Sequence, residues 1–96
     1  MEKEKIVVPR ATLDIYKYIE DDLTCYEFDA TLCQPPEPMV NAMVCLTLLK
    51  SEKDRLIGFF FHEPTPLYDK ISSHFSHVAT ELESGDFKIV FKLIKQ

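Results

Sequence analysis

The sequence of 96 residues and 11.2 kDa is long enough for one domain with a modest core. Hydrophobic residues at 46% and charged residues at 28% are typical of a globular protein and argue against disorder. The net charge of −5 argues against a nucleic-acid-binding protein, which normally presents a basic surface.

The N-terminus and the cysteines bear on where the protein acts. The apolar stretch Ile6–Val8 is too short for the core of a signal peptide, and no apolar run approaches the ~20 residues that span a bilayer. Cys25, Cys33 and Cys45 are odd in number and lack CxxC spacing, which argues against a disulfide framework. We therefore expect a soluble, cytoplasmic protein that acts neither on nucleic acid nor at a membrane.

A helix and a strand are predicted first along the chain. Residues 12–22 have apolar side chains at helical spacing, among them Ile15, Tyr16 and Ile19, which predicts a short helix. The segment Cys25–Ala30 alternates strictly between two sets of side chains, which is typical of a half-buried strand.

Prolines mark the starts of two further helices. Proline is tolerated in the first helical turn, so the proline-rich stretch Cys33–Pro38 predicts a helix from Glu37 to about Lys50. Thr65 as N-cap and Pro66 at the first helical position predict another. The core stripe expected on the first of these helices is Met39, Ala42, Met43, Leu46 and Leu49.

The remaining pattern indicates three strands and a fold class. The apolar run Leu56–Phe61 is typical of a strand inside a sheet, and residues 78–83 and 86–95 flank a tight-turn pair. The order α-β-α-β-α-β-β predicts a two-layer α/β sandwich, with two helices on one face of a four-stranded mixed sheet. The short N-terminal helix would belong to an extension of residues 1–24, with the domain itself in residues 25–96.

The candidate site lies where the first two strands of this sheet end. A helix joins these strands, so we expect them to be parallel, with their carboxyl ends at one edge. Ligands in open α/β sheets bind at this edge, and unpaired N–H groups at the two helix starts favour an anion or a thiolate. The residues expected there are Cys33, His62, Glu63, Asp29, Pro36, Glu37, Pro38 and Thr65.

Two motifs carry a family resemblance. The stretches Leu32–Met39 (LCQPPEPM) and His62–Tyr68 (HEPTPLY) resemble the domain of unknown function 2249 family, an uncharacterised family similar to the TusA/SirA-like sulfur carriers. The resemblance covers about residues 26–93 and implies a β-α-β-α-β-β fold. Members of that family often occur beside hemerythrin-like domains, which implies a link to oxygen or nitric-oxide physiology.

The sequence departs from TusA-type carriers at the position that would hold sulfur. Those carriers have Cys-Pro-x-Pro, whereas Pro35 stands at the cysteine position here and the nearest thiol, Cys33, is two residues upstream. Cys33 is therefore either an unreactive turn residue or a thiolate, stabilised by the helix start and His62, that holds a persulfide. His62 is correspondingly either a loop residue bonded to backbone or a ligand-binding imidazole.

The histidines and cysteines do not form a metal-binding pattern. His74 and His77 straddle the predicted end of a helix, and with Cys33 and His62 they lack the spacing of a structural zinc site. We expect no metal and no cofactor.

A second apolar row on the first crossover helix bears on partners. Val40, Val44 and Leu48 recur at every fourth residue, outside the core stripe. Either the N-terminal helix covers this row, or it is an interface for a homodimer or for another protein.

We interpret the chain as a small adaptor domain that does no chemistry alone. It would present the edge formed by the Cys33–Pro38 and His62–Pro66 loops to a small anionic ligand or a partner protein. The alternative is a sulfur-relay protein that passes persulfide sulfur through Cys33.

Overall fold

The computed structural model describes residues 2–94 as an α+β fold with two helices on one six-stranded mixed sheet. The elements are β1 (Glu4–Ile6), β2 (Ile15–Glu20), β3 (Leu23–Ala30), α1 (Glu37–Leu46), β4 (Asp54–Phe60), α2 (Thr65–Ile71), β5 (Phe75–Glu81) and β6 (Phe87–Leu93). The strand order is β1-β2-β3-β4-β6-β5. As predicted, β3 and β4 are parallel, and every other neighbouring pair is antiparallel. No helix within residues 2–94 has the length and apolarity to cross a membrane.

Alternation along the strands separates the two faces of the sheet. In β3, Phe28 and Ala30 are buried in the core with side chains of both helices, while Cys25 belongs to a smaller cluster on the opposite face. Phe28 meets Phe60 of β4 edge to face, with 5.6 Å between the ring centroids. The alternation predicted for Cys25–Ala30 is confirmed, and the two helices pack on one face as a two-layer sandwich.

The predicted N-terminal helix is wrong, because Ile15–Glu20 form the strand β2. Over so short a stretch the apolar spacing fits both a helix and a strand, and isoleucine and tyrosine favour the strand. Asp21 and Asp22 have positive φ angles of 51° and 66° and join β2 to β3 as a two-residue hairpin turn. The acidic pair is therefore a turn and not a helix end.

The sheet consequently has six strands, not the four predicted. β1 and β2 add to the edge of β3, so residues 4–6 and 15–20 belong to the sheet, and the segment is not a helical extension.

Helix bounds also differ from the prediction. α1 ends at Leu46 and not near Lys50, because the chain continues in tight turns in which Leu49 N–H donates to Leu46 O at 3.2 Å. The residue at the N-cap of α2 is Pro64, and Thr65 is already helical.

One buried polar side chain, Asn41, ties the N-terminal segment to α1. Its Oδ1 accepts hydrogen bonds from the backbone N–H groups of Thr12 at 2.8 Å and Leu13 at 3.2 Å. Its Nδ2 donates to Thr12 Oγ1 at 2.8 Å and to Glu37 O at 2.9 Å, so the amide is fully satisfied. Asn41 belongs to the buried side of α1, whereas Met43, expected in the core stripe, is exposed.

Replacing Asn41 with alanine is expected to lower the free energy of unfolding by about 1–3 kcal/mol, because the four hydrogen bonds of this buried amide are lost. Urea denaturation measures the difference, and Met43→Ala, at an exposed position of the same helix, is the control. An Asn41→Ala variant as stable as the control would show that these hydrogen bonds make no net contribution.

Candidate functional site

A groove opens at the edge where β3 and β4 end together. Ala30 and Phe60, the last residues of these parallel strands, are register partners and both line it. The loops that follow them supply most of the remaining lining, so the cysteine-bearing and histidine-bearing bends are neighbours, as the sequence predicts. The groove has a volume of about 510 Å³. Its lining residues are Ala30, Cys33, Gln34, Pro35, Pro36, Pro38, Met39, Phe60, Phe61, His62, Glu63, Pro64 and Pro66.

Proline and other apolar side chains dominate this lining. Five of the six prolines in the chain line the groove, together with Met39, Phe60 and Phe61. The peptide bond between Pro35 and Pro36 is cis. Within residues 2–94, neither lysine nor arginine lines the groove. Its polar side chains are Cys33, Gln34, His62 and Glu63.

The start of α1 offers few of the N–H groups that an anion would need. Pro36 and Pro38 carry no N–H, and the Glu37 N–H donates to Gln34 O at 3.0 Å. The first turn of α1 therefore has fewer free N–H groups than the N-terminus of a helix normally has.

The start of α2 is similarly depleted of donors. The Thr65 N–H donates to Glu63 O at 2.9 Å, Pro66 has no N–H, and the Leu67 N–H donates to Pro64 O at 2.9 Å. The proline-rich loops form an apolar groove, whereas the sequence predicted an anion site at this edge.

The surroundings of Cys33 favour the thiol over the thiolate. Burial of the side chain, the proximity of the Glu37 carboxylate, and the negative charges of Glu37 and Asp29 all raise the pKa of Cys33. A raised pKa leaves less thiolate at neutral pH. The electrostatics thus oppose the stabilised thiolate that the persulfide interpretation requires.

Three of the predicted site residues, Asp29, Glu37 and Thr65, lie outside the groove lining. Asp29 Oδ1 accepts hydrogen bonds from the N–H of Thr31 at 2.9 Å and its hydroxyl at 2.6 Å, which closes a turn after β3. Glu37 Oε2 accepts a hydrogen bond from the Thr12 hydroxyl at 2.6 Å. These two carboxylates hold local structure, and Thr65 is exposed in the first turn of α2.

The structure places His62 and Glu63 in the lining together with Pro36 and Pro38. The exposed His62 ring contacts the Phe61 ring, with 4.5 Å between centroids. Glu63 Oε2 accepts a hydrogen bond from the Tyr68 hydroxyl at 3.0 Å. Burial and this hydrogen bond raise the pKa of Tyr68, so its hydroxyl stays protonated. The hydrogen bond connects the loop that contains Glu63 to α2.

The other cysteines and histidines have separate surroundings. Cys25 and Cys45 are buried, and burial raises the pKa of both thiols, that of Cys45 to about 12. His77, on β5, stacks on Tyr68 with 3.5 Å between ring centroids. The ring of His74 instead pairs with the neighbouring Ser73 hydroxyl at 2.9 Å.

The second apolar row, of which Val40 and Val44 lie on α1 and Leu48 lies beyond its end, is less exposed than the sequence suggests. Val44 and Leu48 are half-buried and pack against the core, while Val40 is 43% exposed. Residues 12–22 do not form a covering helix, because Ile15 is in β2. Val8 belongs to the core, and Ile6 and Ala11 pack against it. Use of this row as an interface stays a prediction.

Two exposed apolar residues, one in the groove lining and one next to it, were not singled out by the sequence analysis. Phe61 closes a run that was expected to be buried, but β4 ends at Phe60 and Phe61 is 58% exposed. Leu32, next to Cys33 in the opposite loop, is 98% exposed. The sequence did contain a sign of their exposure, because each of these apolar residues lies directly beside a turn-forming segment.

Comparison with known proteins found no family model, no curated protein and no solved structure that matches the chain. The family resemblance therefore rests on the two sequence motifs.

Cys33 is expected to react with iodoacetamide more slowly than a free cysteine near neutral pH, with an apparent pKa above the ordinary value of about 8.5. Glu37→Gln removes a nearby negative charge and should lower this pKa and speed the reaction. Peptide mapping by mass spectrometry separates Cys33 from the two buried thiols. Glu52→Gln, in the turn before β4, is the control, and a pKa below the ordinary value would contradict this account.

Proposed function

We propose that the chain is a non-catalytic binding module whose groove holds an apolar segment of a partner protein. The observation that carries the proposal is the lining of the groove, in which prolines, Met39, Phe60 and Phe61 outnumber the polar side chains. Exposed apolar surface of this kind is typical of protein interaction sites. The groove, with its volume of about 510 Å³, accommodates a short run of apolar side chains.

The chemistry of the groove also limits the charge of its occupant. Among the described residues the lining includes the carboxylate of Glu63 and no lysine or arginine, and the adjacent helix starts have few free N–H donors. An occupant without acidic groups fits these surroundings better than the small anion that the sequence analysis favoured.

The fold supports a TusA-like assignment as part of the same proposal. The elements β3-α1-β4-α2-β5-β6 follow the β-α-β-α-β-β order that the family resemblance implies. The groove lies where TusA-type carriers would hold sulfur, but a proline-lined binding surface replaces the reactive cysteine.

A peptide selected from a phage-displayed random library on the full chain is the probe for this function. We expect its addition to shift the amide NMR signals of Cys33, Gln34, His62 and Glu63. Phe61→Ser should weaken its binding about tenfold, because an apolar contact is lost at the groove.

Ile19→Ser is the matched control for this test, since Ile19 is 59% exposed on β2, where it does not line the groove. Shifts confined to another surface, or equal affinities for the two variants, would contradict the proposal. Inorganic phosphate is the anion probe, and specific shifts of the same four amides by phosphate would favour the anionic ligand instead.

A persulfide relay through Cys33 is the alternative that the sequence leaves open, and the raised pKa of this thiol does not favour it. After incubation with a cysteine desulfurase and cysteine, we expect the intact mass to show no added sulfur that depends on Cys33. One added sulfur on the wild-type chain and none on Cys33→Ser would overturn the non-catalytic assignment.

A further inference from the structure

The two edges of the sheet differ in their protection against strand addition. β1 has three residues, of which Glu4 and Lys5 are charged. β5 has seven residues, contains neither proline nor lysine, and has its single acidic residue, Glu81, at the end. It also pairs residue for residue with β6, without a bulge that would bend it. Short length, charge, proline and bulges are the usual protections of an edge, so β1 is protected and β5 is open.

The outward backbone groups of β5 lie at alternate residues. His74 O accepts a hydrogen bond from Ile94 N at 2.9 Å, and Leu82 N donates to Asp86 O at 2.8 Å. In an antiparallel ladder this places the hydrogen-bonding groups of the even-numbered residues toward β6. The odd-numbered residues therefore direct their N–H and C=O groups outward: Phe75, His77, Ala79 and Glu81.

An apolar row on the open face of the sheet reaches this edge. Ile57 of β4 is aligned with Val90 of β6, and Val90 with Val78 of β5. Ile57 is buried and Val90 is half-buried, but Val78 is 67% exposed. The row thus ends in a β-branched side chain that has no neighbour strand beyond it within residues 2–94.

The backbone of β5 is complementary to a second copy of itself. In antiparallel pairing centred on Val78, the outward groups of His77 meet those of Ala79 in the second copy, and those of Phe75 meet Glu81. Every outward-facing residue of β5 then has a partner in the second copy. Each such pair exchanges two backbone hydrogen bonds.

The side chains are compatible with the same register. On the open face, Ser76 lies opposite Thr80 of the second copy, and Val78 lies opposite its counterpart on the two-fold axis. Hydroxyl and β-branched pairs of this kind stabilise antiparallel strands, and no two like charges are opposed. The alternative register centred on His77 would oppose two imidazoles and leave Glu81 without a partner.

We infer that two copies of the chain associate through β5 in this register and form one continuous sheet. The contact is isologous, since the same strand supplies both sides of the interface. The groove residues belong to other elements, so each copy keeps its own groove accessible.

Sedimentation velocity of the full chain at concentrations up to about 1 mM tests this inference. We expect a species of twice the 11.2 kDa mass of one chain to increase with concentration. Val78→Lys and Val78→Glu should each weaken self-association about tenfold, because the same charge then lies on both sides of the axis. Val78→Thr, which stays neutral and β-branched, should associate like the wild-type chain.

A mixture of the Val78→Lys and Val78→Glu chains tests the register itself, because opposite charges then meet on the axis. We expect the mixture to associate more strongly than either variant alone, at about the strength of the wild-type chain. A wild-type chain that stays single at about 1 mM, a Val78→Lys chain that associates unchanged, or a mixture that stays single would each overturn the inference. Circular dichroism spectra identical to that of the wild-type chain show that the variants are folded.

Discussion

The position of α1 against the N-terminal segment depends on the hydrogen bonds of one buried amide. Asn41 joins the backbone of Thr12 and Leu13 to the first turn of α1 at Glu37. A buried amide without hydrogen-bond partners is costly, so the chain before β2 and the start of α1 are held in one relative position. Since the start of α1 is a wall of the groove, a residue outside the groove determines where that wall lies.

The groove itself follows from the parallel pairing of β3 and β4. Ala30 opposite Phe60 brings two loops to one edge, as in other open α/β sheets. The side chains at this edge differ from those of a phosphate or sulfur site, because prolines stand where both helix starts would otherwise supply N–H donors. The groove lies at the edge where open α/β sheets commonly bind ligands, and its lining is mostly apolar.

The sequence predicted the elements whose apolar period is unambiguous and missed those that tertiary contacts decide. Strict alternation identified β3, and prolines located both helix starts close to where they lie. Residues 15–20 fit two periods, so their place beside β3 could not be derived from spacing. The burial of Asn41 depends on the distant Thr12, and the raised pKa of Cys33 depends on where the Glu37 carboxylate lies.

Five prolines in the lining have an energetic consequence for whatever the groove holds. Proline has fixed φ and almost no rotamer freedom to lose, so these five side chains would lose little conformational entropy against an occupant. More of the ordering cost of binding would then fall on the occupant. A segment that is already rigid would therefore bind more tightly there than an equally apolar but flexible one.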